Sequence, residues 1–147
     1  MALDSAKKAS QKERFEKVIV KIDTKKKEAS KQFGLGSFGE AIKIYKSAAE
    51  VLETLLEDFP LYKKEIARSE AAIFNNIAFA YGRDENEKMQ IEFCTKTIDR
   101  SPYIQDIGIL IKAYLRRGLA YEHNEKYKKA ANDLKMVRDL DNQNKQA

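Results

Sequence analysis

Cysteine, tryptophan, proline and glycine are scarce in this sequence, and each shortage excludes a class of protein. The 147 residues include one Cys, no Trp, two Pro and six Gly. The single Cys94 cannot form an internal disulfide, which excludes a disulfide-stabilised secreted fold. So few Pro and Gly residues disfavour a turn-rich β fold and favour long helices. The length suits one domain with a core of its own, not two.

Long apolar runs are also absent. No stretch reaches the ~20 apolar residues that a membrane-spanning helix needs. The N-terminal stretch 1–14 is charged and lacks the apolar centre of a secretory signal. We therefore expect a cytoplasmic protein without a membrane partner.

Charged residues make up 35% of the chain, with a net charge of +5. A nucleic acid or an acidic protein partner could each account for a basic chain. Acidic and basic residues are interspersed almost everywhere, and the clearest basic run is Lys25, Lys26 and Lys27. Solvated helix faces explain most of these charges, so we expect no nucleic-acid partner. The alternative, an RNA- or membrane-binding helix at residues 6–31, would show a steep salt dependence.

Apolar residues recur at helical spacing in six segments. The spacing predicts helices over 5–33, 38–58, 61–81, 87–100, 105–122 and 126–140. Gly34 and Gly36 mark the first turn, and Pro60 and Pro102 mark later helix ends. The apolar run 107–115 could locally form a strand, but it has helical neighbours and no partner strand. An all-α fold is therefore expected.

The predicted helices form pairs that resemble one another. An aromatic residue, a small residue three positions later and a bulky apolar residue four positions after that occur in two pairs, as Phe38, Ala41 and Tyr45 and as Tyr127, Ala130 and Leu134. This pattern resembles the tetratricopeptide repeat (TPR), a helix-turn-helix unit of about 34 residues. Matching positions in three successive repeats are Gly36, Phe38, Ala41, Tyr45 and Ala48; Phe74, Ala78, Tyr81 and Pro102; and Tyr114, Gly118, Tyr121, Tyr127 and Ala130.

The resemblance implies a right-handed superhelix of three TPR repeats with an N-terminal helical extension. It divides the chain into a charged extension at 1–24, the repeat domain at 25–142 and a tail at 143–147 that stops before the capping helix usual in the family. The repeats are longer than usual: equivalent positions are 49 residues apart from Ala41 to Gln90 and 40 apart from Gln90 to Ala130. Gln90 also stands where the family prefers Ala. Repeat arrays absorb such extensions at loops and helix ends.

The residues that could support catalysis or metal binding are isolated. Gly34, Gly36 and Gly39 spell GxGxxG, which binds phosphate only between a strand and a helix, and here a helix precedes it. One histidine, His123, and one cysteine cannot supply a tetrahedral zinc site unaided. Cys94 lies on an apolar helix face and is expected in the core. We expect no enzyme activity, catalytic residue, metal or cofactor.

The resemblance also implies a binding site. TPR domains that bind chaperones carry a carboxylate clamp with the pattern Lys-x-x-x-Asn in repeat one, Asn in repeat two and Lys-x-x-x-Arg in repeat three. The run Tyr114–Glu122 is similar to the third repeat of such co-chaperones, including heat-shock-organising and dynein-assembly ones. Anchored on Gly36, Tyr81 and Gly118, the clamp falls on Lys26, Ser30, Asn76, Lys112 and Arg116.

Four of these five residues match the clamp by identity, and Ser30 replaces an Asn. Lys and Arg are hydrogen-bond donors only, which suits a carboxylate. The clamp implies a monomeric co-chaperone-like adaptor that binds the acidic C-terminal tail, of the Glu-Glu-Val-Asp type, of a cytosolic heat-shock chaperone of the ninety- or seventy-kilodalton class. Because Lys and Arg number 28 of 147, some matches arise by chance. The alternative is a structural TPR scaffold that binds a partner helix or internal segment without a clamp.

Overall fold

The computed structural model describes residues 2–146, and within that range the chain forms helices and no strand. Met1 and Ala147, the outer residues of the predicted segments 1–24 and 143–147, lie outside it. Short 3₁₀ turns at Pro60–Tyr62 and Ser101–Tyr103 contain the two prolines. The helices are α1 (Ala2–Gly34), α2 (Phe38–Asp58), α3 (Lys63–Arg83), α4 (Glu87–Asp99), α5 (Ile107–His123) and α6 (Tyr127–Gln146). The all-α prediction is confirmed.

The same turn joins the two helices of each pair. The second of the three residues between the helices takes a left-handed backbone conformation. This residue is Gly36 (φ +82°), Glu85 (φ +59°) or Glu125 (φ +61°). The next amide donates to a carbonyl five residues back, from Ser37 to Gln32 (2.9 Å), from Asn86 to Tyr81 (2.9 Å) and from Lys126 to Tyr121 (2.8 Å). This arrangement caps the last free carbonyls of the first helix. The recurrence shows that α1–α2, α3–α4 and α5–α6 are three copies of one unit.

Each helix packs mainly on its neighbours in sequence, and α3 also contacts α5. Short turns make the two helices of a pair antiparallel. Close approach within the last pair depends on Gly118, because a Cβ there would lie 3.1 Å from the Cβ of Asp133. At the equivalent positions of the other pairs, Ala29 and Ala78 are fully buried. Small residues at these crossings let the helix backbones approach.

Helix α1 runs without a break through residue 24, so the boundary between 1–24 and 25–142 stays a proposal. Its N-terminal half is held by Phe15, which stacks on Tyr62 at 4.3 Å and lies 5.7 Å from Phe59. Ile22 is buried further along the same stripe. The helix holds ten Lys or Arg and five Asp or Glu, so its net charge equals the +5 of the whole chain.

Five predicted helix ends differ from the structure by two or more residues: α1 begins at Ala2 and not at 5, α3 spans Lys63–Arg83 and not 61–81, and one end each of α5 and α6 differs. Helix α5 begins at Ile107, because the Asp106 side chain accepts a hydrogen bond from the Gly108 amide at 3.0 Å and caps the helix there. Helix α6 continues past the predicted end at residue 140. No Gly or Pro follows that position, and Lys145 pairs with Asp141 one turn earlier at 3.2 Å. Residues 143–146, predicted as a tail, are therefore helical.

Two partly buried ion pairs join neighbouring helices. Arg117 on α5 donates to both carboxylate oxygens of Asp133 on α6, at 2.8 and 2.7 Å, and to the Thr95 hydroxyl on α4 at 3.2 Å. Arg100 donates to both oxygens of Glu70, at 3.3 Å each, and joins the end of α4 to α3. A bidentate pair fixes distance and orientation together.

The left-handed turn predicts that Glu125→Gly stabilises the protein. The left-handed conformation costs a residue with a Cβ roughly 1–2 kcal/mol, and glycine avoids this cost. Part of that gain is lost to glycine's greater freedom in the unfolded chain. We expect the free energy of unfolding in urea to rise by about 1 kcal/mol. Glu92→Gly, at an exposed position inside α4, is the control and should lower stability by about 1 kcal/mol. A decrease for both variants would contradict the capping role of Glu125.

The Arg117 ion pair predicts a large cost for Asp133→Ala. The Asp133 side chain is 6% exposed, and its removal leaves the largely buried guanidinium of Arg117 without a carboxylate partner. Breaking one partner of a buried pair costs about 3–5 kcal/mol. Asp139→Ala, at an exposed position on the same helix, should change stability by less than about 0.5 kcal/mol. Urea unfolding followed by circular dichroism measures both, and equal effects would show that the pair does not stabilise the packing of α5 on α6.

Candidate functional site

The five predicted site residues lie on the first helices of the three pairs. Lys26 and Ser30 are one turn apart on α1, Asn76 is on α3, and Lys112 and Arg116 are one turn apart on α5. Residues three, four or seven apart share a helix face. Ser30 and Lys112 are exposed, while Lys26, Asn76 and Arg116 are half-buried. All five reach the surface.

A row of three side chains connects α1, α3 and α5 on one face of the domain. The rings of Phe33 on α1 and Phe79 on α3 lie 5.2 Å apart. The guanidinium of Arg116 on α5 lies 4.6 Å from the centroid of the Phe79 ring. Phe79 is 41% exposed, so the row runs along the surface. We call these three residues the aromatic row.

The predicted residues share faces with the aromatic row. Ser30 is three residues before Phe33, Asn76 is three residues before Phe79, and Arg116 is itself in the row. Lys26 and Lys112 each lie one turn further along the same faces. The three faces that carry the predicted site are therefore adjacent. Among the described residues, however, no hydrogen bond or ion pair joins any two of the five.

Two of the five residues already interact with other parts of the domain. Burial raises the pKa of the Tyr45 phenol on α2, and the neighbouring Ser30 hydroxyl acts in the opposite direction. Nη1 of Arg116 donates to the side-chain oxygen of Asn75 at 2.8 Å and to its backbone oxygen at 3.4 Å. Burial lowers the pKa of Arg116, yet guanidinium groups stay protonated in proteins. Arg116 thus remains a cation.

Sequence reasoning missed Asn75 and Phe79. Asn75 is next to the predicted Asn76 but is 8% exposed, and its partner is 41 residues away. In the sequence, nothing distinguishes Phe79 from the other apolar residues of its helix. Its spacing of three from Asn76 was the one available signal, and it becomes meaningful only when the partners on α1 and α5 are known.

The residues considered for catalysis or metal binding lie in the core, in a turn or at a contact between helices. Burial raises the pKa of the Cys94 thiol to about 12, against the opposing effect of Arg116 and Arg117, so the thiol is protonated at neutral pH. Gly36 lies in the turn between α1 and α2, as expected. His123 Nδ1 lies 2.6 Å from the Glu87 carboxylate and links the end of α5 to the start of α4. Within residues 2–146, no three His, Cys, Asp or Glu side chains cluster as metal ligands would.

A groove of about 860 Å³ lies elsewhere, between α2, α3 and α4. Its floor includes the rings of Phe74 and Phe93. The cations of Lys46 and Lys96 lie 5.5 and 5.0 Å from the Phe93 centroid, and that of Arg100 lies 5.6 Å from the Phe74 centroid. None of the five predicted residues lines it. The domain's own cations already cover the aromatic floor of this groove.

A helix that crosses a membrane must be both long and apolar. In the part of the chain that the structure describes, no helix combines the length and the apolar character of a membrane span.

Comparison with known proteins finds relatives of which this chain matches a part. No protein-family model matches. The mitochondrial import receptor subunit TOM34 of Rattus norvegicus is 30% identical over 126 residues, which cover 86% of this chain and 37% of TOM34. Sperm-associated antigen 1 of Homo sapiens is 30% identical over 116 residues, which cover 79% of this chain and 11% of that protein. The chain spans little more than a third of TOM34 and less of sperm-associated antigen 1.

One solved structure, a MamA RS-1 ArsTM double mutant, matches with a TM-score of 0.43 and 17% identity over 84% of this chain and 76% of that chain. The three-fold recurrence of the helix pair and of its turn shows an all-α fold built from three repeated helix pairs.

Proposed function

We propose that this domain is a cytoplasmic, monomeric protein-interaction adaptor. It binds the acidic C-terminal tail of a cytosolic heat-shock chaperone of the ninety- or seventy-kilodalton class. The tail carboxylates are held by Lys26, Ser30, Asn76, Lys112 and Arg116.

The aromatic row is the observation that carries this proposal. It packs the matching faces of α1, α3 and α5 side by side, so residues separated by up to 90 positions in sequence, from Lys26 to Arg116, border one surface. Three of them are cations that offer only donors. Donors that converge from three helices suit a short carboxylate-rich peptide.

The charge distribution supports an acidic ligand. The whole net charge of the chain resides in α1, the helix that carries Lys26 and Ser30. A one-sided positive field accelerates the encounter with an anionic peptide and weakens as salt is added.

The named relatives support a binding role. TOM34 is by name a receptor subunit of mitochondrial import. A receptor recognises other proteins, which fits an adaptor better than an enzyme. Because the chain matches only part of TOM34, this support extends to the domain's mode of action and not to the import process.

The scaffold alternative also has an observation in its favour. Leu115 and Leu119 on α5 are 38% and 50% exposed, on either side of Arg116 in sequence. With the exposed ring of Phe79 they offer apolar contact to a partner helix or internal segment. Such a partner would need no free C-terminal carboxylate, and this requirement separates the two functions.

The decisive experiment compares a free-acid tail peptide ending in Glu-Glu-Val-Asp with the same peptide carrying a C-terminal amide. By isothermal titration calorimetry we expect the free acid to bind about 10- to 100-fold more tightly, since charge-assisted hydrogen bonds contribute roughly 1.5–3 kcal/mol. Lys112→Ala should weaken the free acid about three- to tenfold, because an exposed ammonium is partly screened by water. Lys135→Ala, at an exposed position on α6, is the control and should leave affinity unchanged.

Equal affinity for the free acid and the amide would contradict the clamp and favour the scaffold. A loss with Lys135→Ala as large as with Lys112→Ala would show that binding reflects overall charge and not the predicted site.

Ser30→Asn should tighten binding of the free acid by about two- to fivefold. The amide side chain reaches further than the hydroxyl and has two donors, and one net hydrogen bond contributes about 0.5–1.5 kcal/mol. Part of the gain is offset because the larger side chain must fit beside the Tyr45 phenol, which neighbours Ser30. Ser10→Asn, also exposed on α1, is the matched control. Weaker binding by Ser30→Asn would mean that the hydroxyl itself is the group that the ligand needs.

A further inference from the structure

The interior of the domain shows how its arginines hold carboxylates. Arg100 grips Glu70 and Arg117 grips Asp133, each through the edge of the guanidinium formed by Nε and Nη2. This edge carries two parallel N–H groups that match the two oxygens of a carboxylate.

Arg116 uses a different edge. Its Nη1 donates to the side-chain oxygen of Asn75 at 2.8 Å and to the backbone oxygen of the same residue at 3.4 Å. Its Nε and Nη2 donate to no acceptor among the residues that the structure describes, although the neighbouring Arg117 directs the same edge at Asp133.

The plane of the Arg116 guanidinium is restrained as well. Its central carbon lies 4.6 Å from the Phe79 ring centroid, within the range of a cation–π contact. The Asn75 side chain is 8% exposed and sits on the buried side of α3, whereas the Phe79 ring reaches the surface. One edge of the guanidinium is therefore bound from the interior and one face is covered by a ring.

We propose that Asn75 is a positioning residue that holds Arg116 by Nη1 and so reserves the Nε and Nη2 edge for a bidentate contact with the terminal carboxylate of the ligand. This inference rests on the proposed function. It assigns a role to a residue outside the predicted clamp, and it gives the face of the aromatic row a preference for a carboxylate over an acceptor that forms a single hydrogen bond. A guanidinium fixed before binding loses less side-chain entropy when the ligand arrives.

A purely structural role for Asn75 makes a different prediction. If Asn75 only satisfies a half-buried arginine, its replacement lowers stability and affects every ligand equally. If it positions Arg116, replacement acts on the terminal carboxylate alone and has no effect once Arg116 is gone.

The test is a double-mutant cycle, with free-acid and amidated tail peptides titrated by calorimetry against the whole chain. Asn75→Leu keeps the approximate size and removes the acceptor; we expect about tenfold weaker binding of the free acid and no change for the amide. Arg116→Lys should lose nearly as much as Arg116→Ala, since lysine keeps the charge but has no fork. In the Arg116→Ala background, Asn75→Leu should change affinity less than twofold.

Thr95→Val is the matched control, because Thr95 accepts a bond at 3.2 Å from the neighbouring Arg117 and not from Arg116. It should leave both affinities unchanged. A second measurement needs no variant: the Nε–H resonance of Arg116 in the wild-type chain should shift with the free acid and not with the amide. This measurement decides the question if Asn75→Leu does not fold.

The outcomes separate the two proposals. If wild-type protein does not prefer the free acid, the proposed function fails and the inference fails with it. If wild-type protein does prefer it but Asn75→Leu is neutral, affects acid and amide alike, or adds fully to Arg116→Ala, the inference alone is overturned. An Arg116 Nε–H resonance that does not respond to the free acid also overturns it.

Discussion

The architecture depends on one turn that is used three times. After the first helix of each pair, the chain enters the left-handed region for a single residue and closes a hydrogen bond to a carbonyl five positions back. Because the turn is the same each time, the second helix leaves the first at the same angle and in the same rotational phase. Successive pairs can then stack alike, and equivalent faces of α1, α3 and α5 become neighbours. Without that constraint the polar positions on these helices would not share a surface.

The arginines of the domain have two roles, which depend on whether a carboxylate of the chain is paired with them. Arg117 and Arg100 are satisfied internally by Asp133 and Glu70 and hold helices together. Arg116, one residue from Arg117, lies on a different face of α5, and its partners among the described residues are the neutral side chains of Asn75 and Phe79. A cation left without a carboxylate after folding is suited to receive one from a ligand. Adjacent arginines on one helix thus differ in role because a helix turns about 100° per residue.

The groove between α2, α3 and α4 and the face of the aromatic row differ in what covers them. In the groove between α2, α3 and α4, cations of the chain rest on Phe74 and Phe93. On the opposite side of the repeat helices, the Phe79 ring and two leucines remain exposed beside Arg116. A surface that keeps both apolar area and cations accessible is better suited to a peptide than one whose cations already cover its rings. This contrast favours the face of the aromatic row as the binding surface.

Periodicity, scarce Pro and Gly, and the recurring aromatic-small-bulky pattern determined the six helices and their pairing, because those signals are local and spaced by the helical repeat. The assignment of Lys26, Ser30, Asn76, Lys112 and Arg116 to a clamp came from the resemblance to the repeat family and stays a prediction. Several helix ends were missed, among them the start of α5 at Ile107 and the end of α6 at Gln146, since a cap and a one-turn ion pair depend on side-chain geometry. Tertiary structure alone decided that Asn75 and Phe79 accompany Arg116, that Ser30 neighbours Tyr45, and that Asp133 pairs with Arg117 and not Arg116. Each of these contacts joins different helices, so it depends on the angle at which the helices cross, which no local pattern specifies.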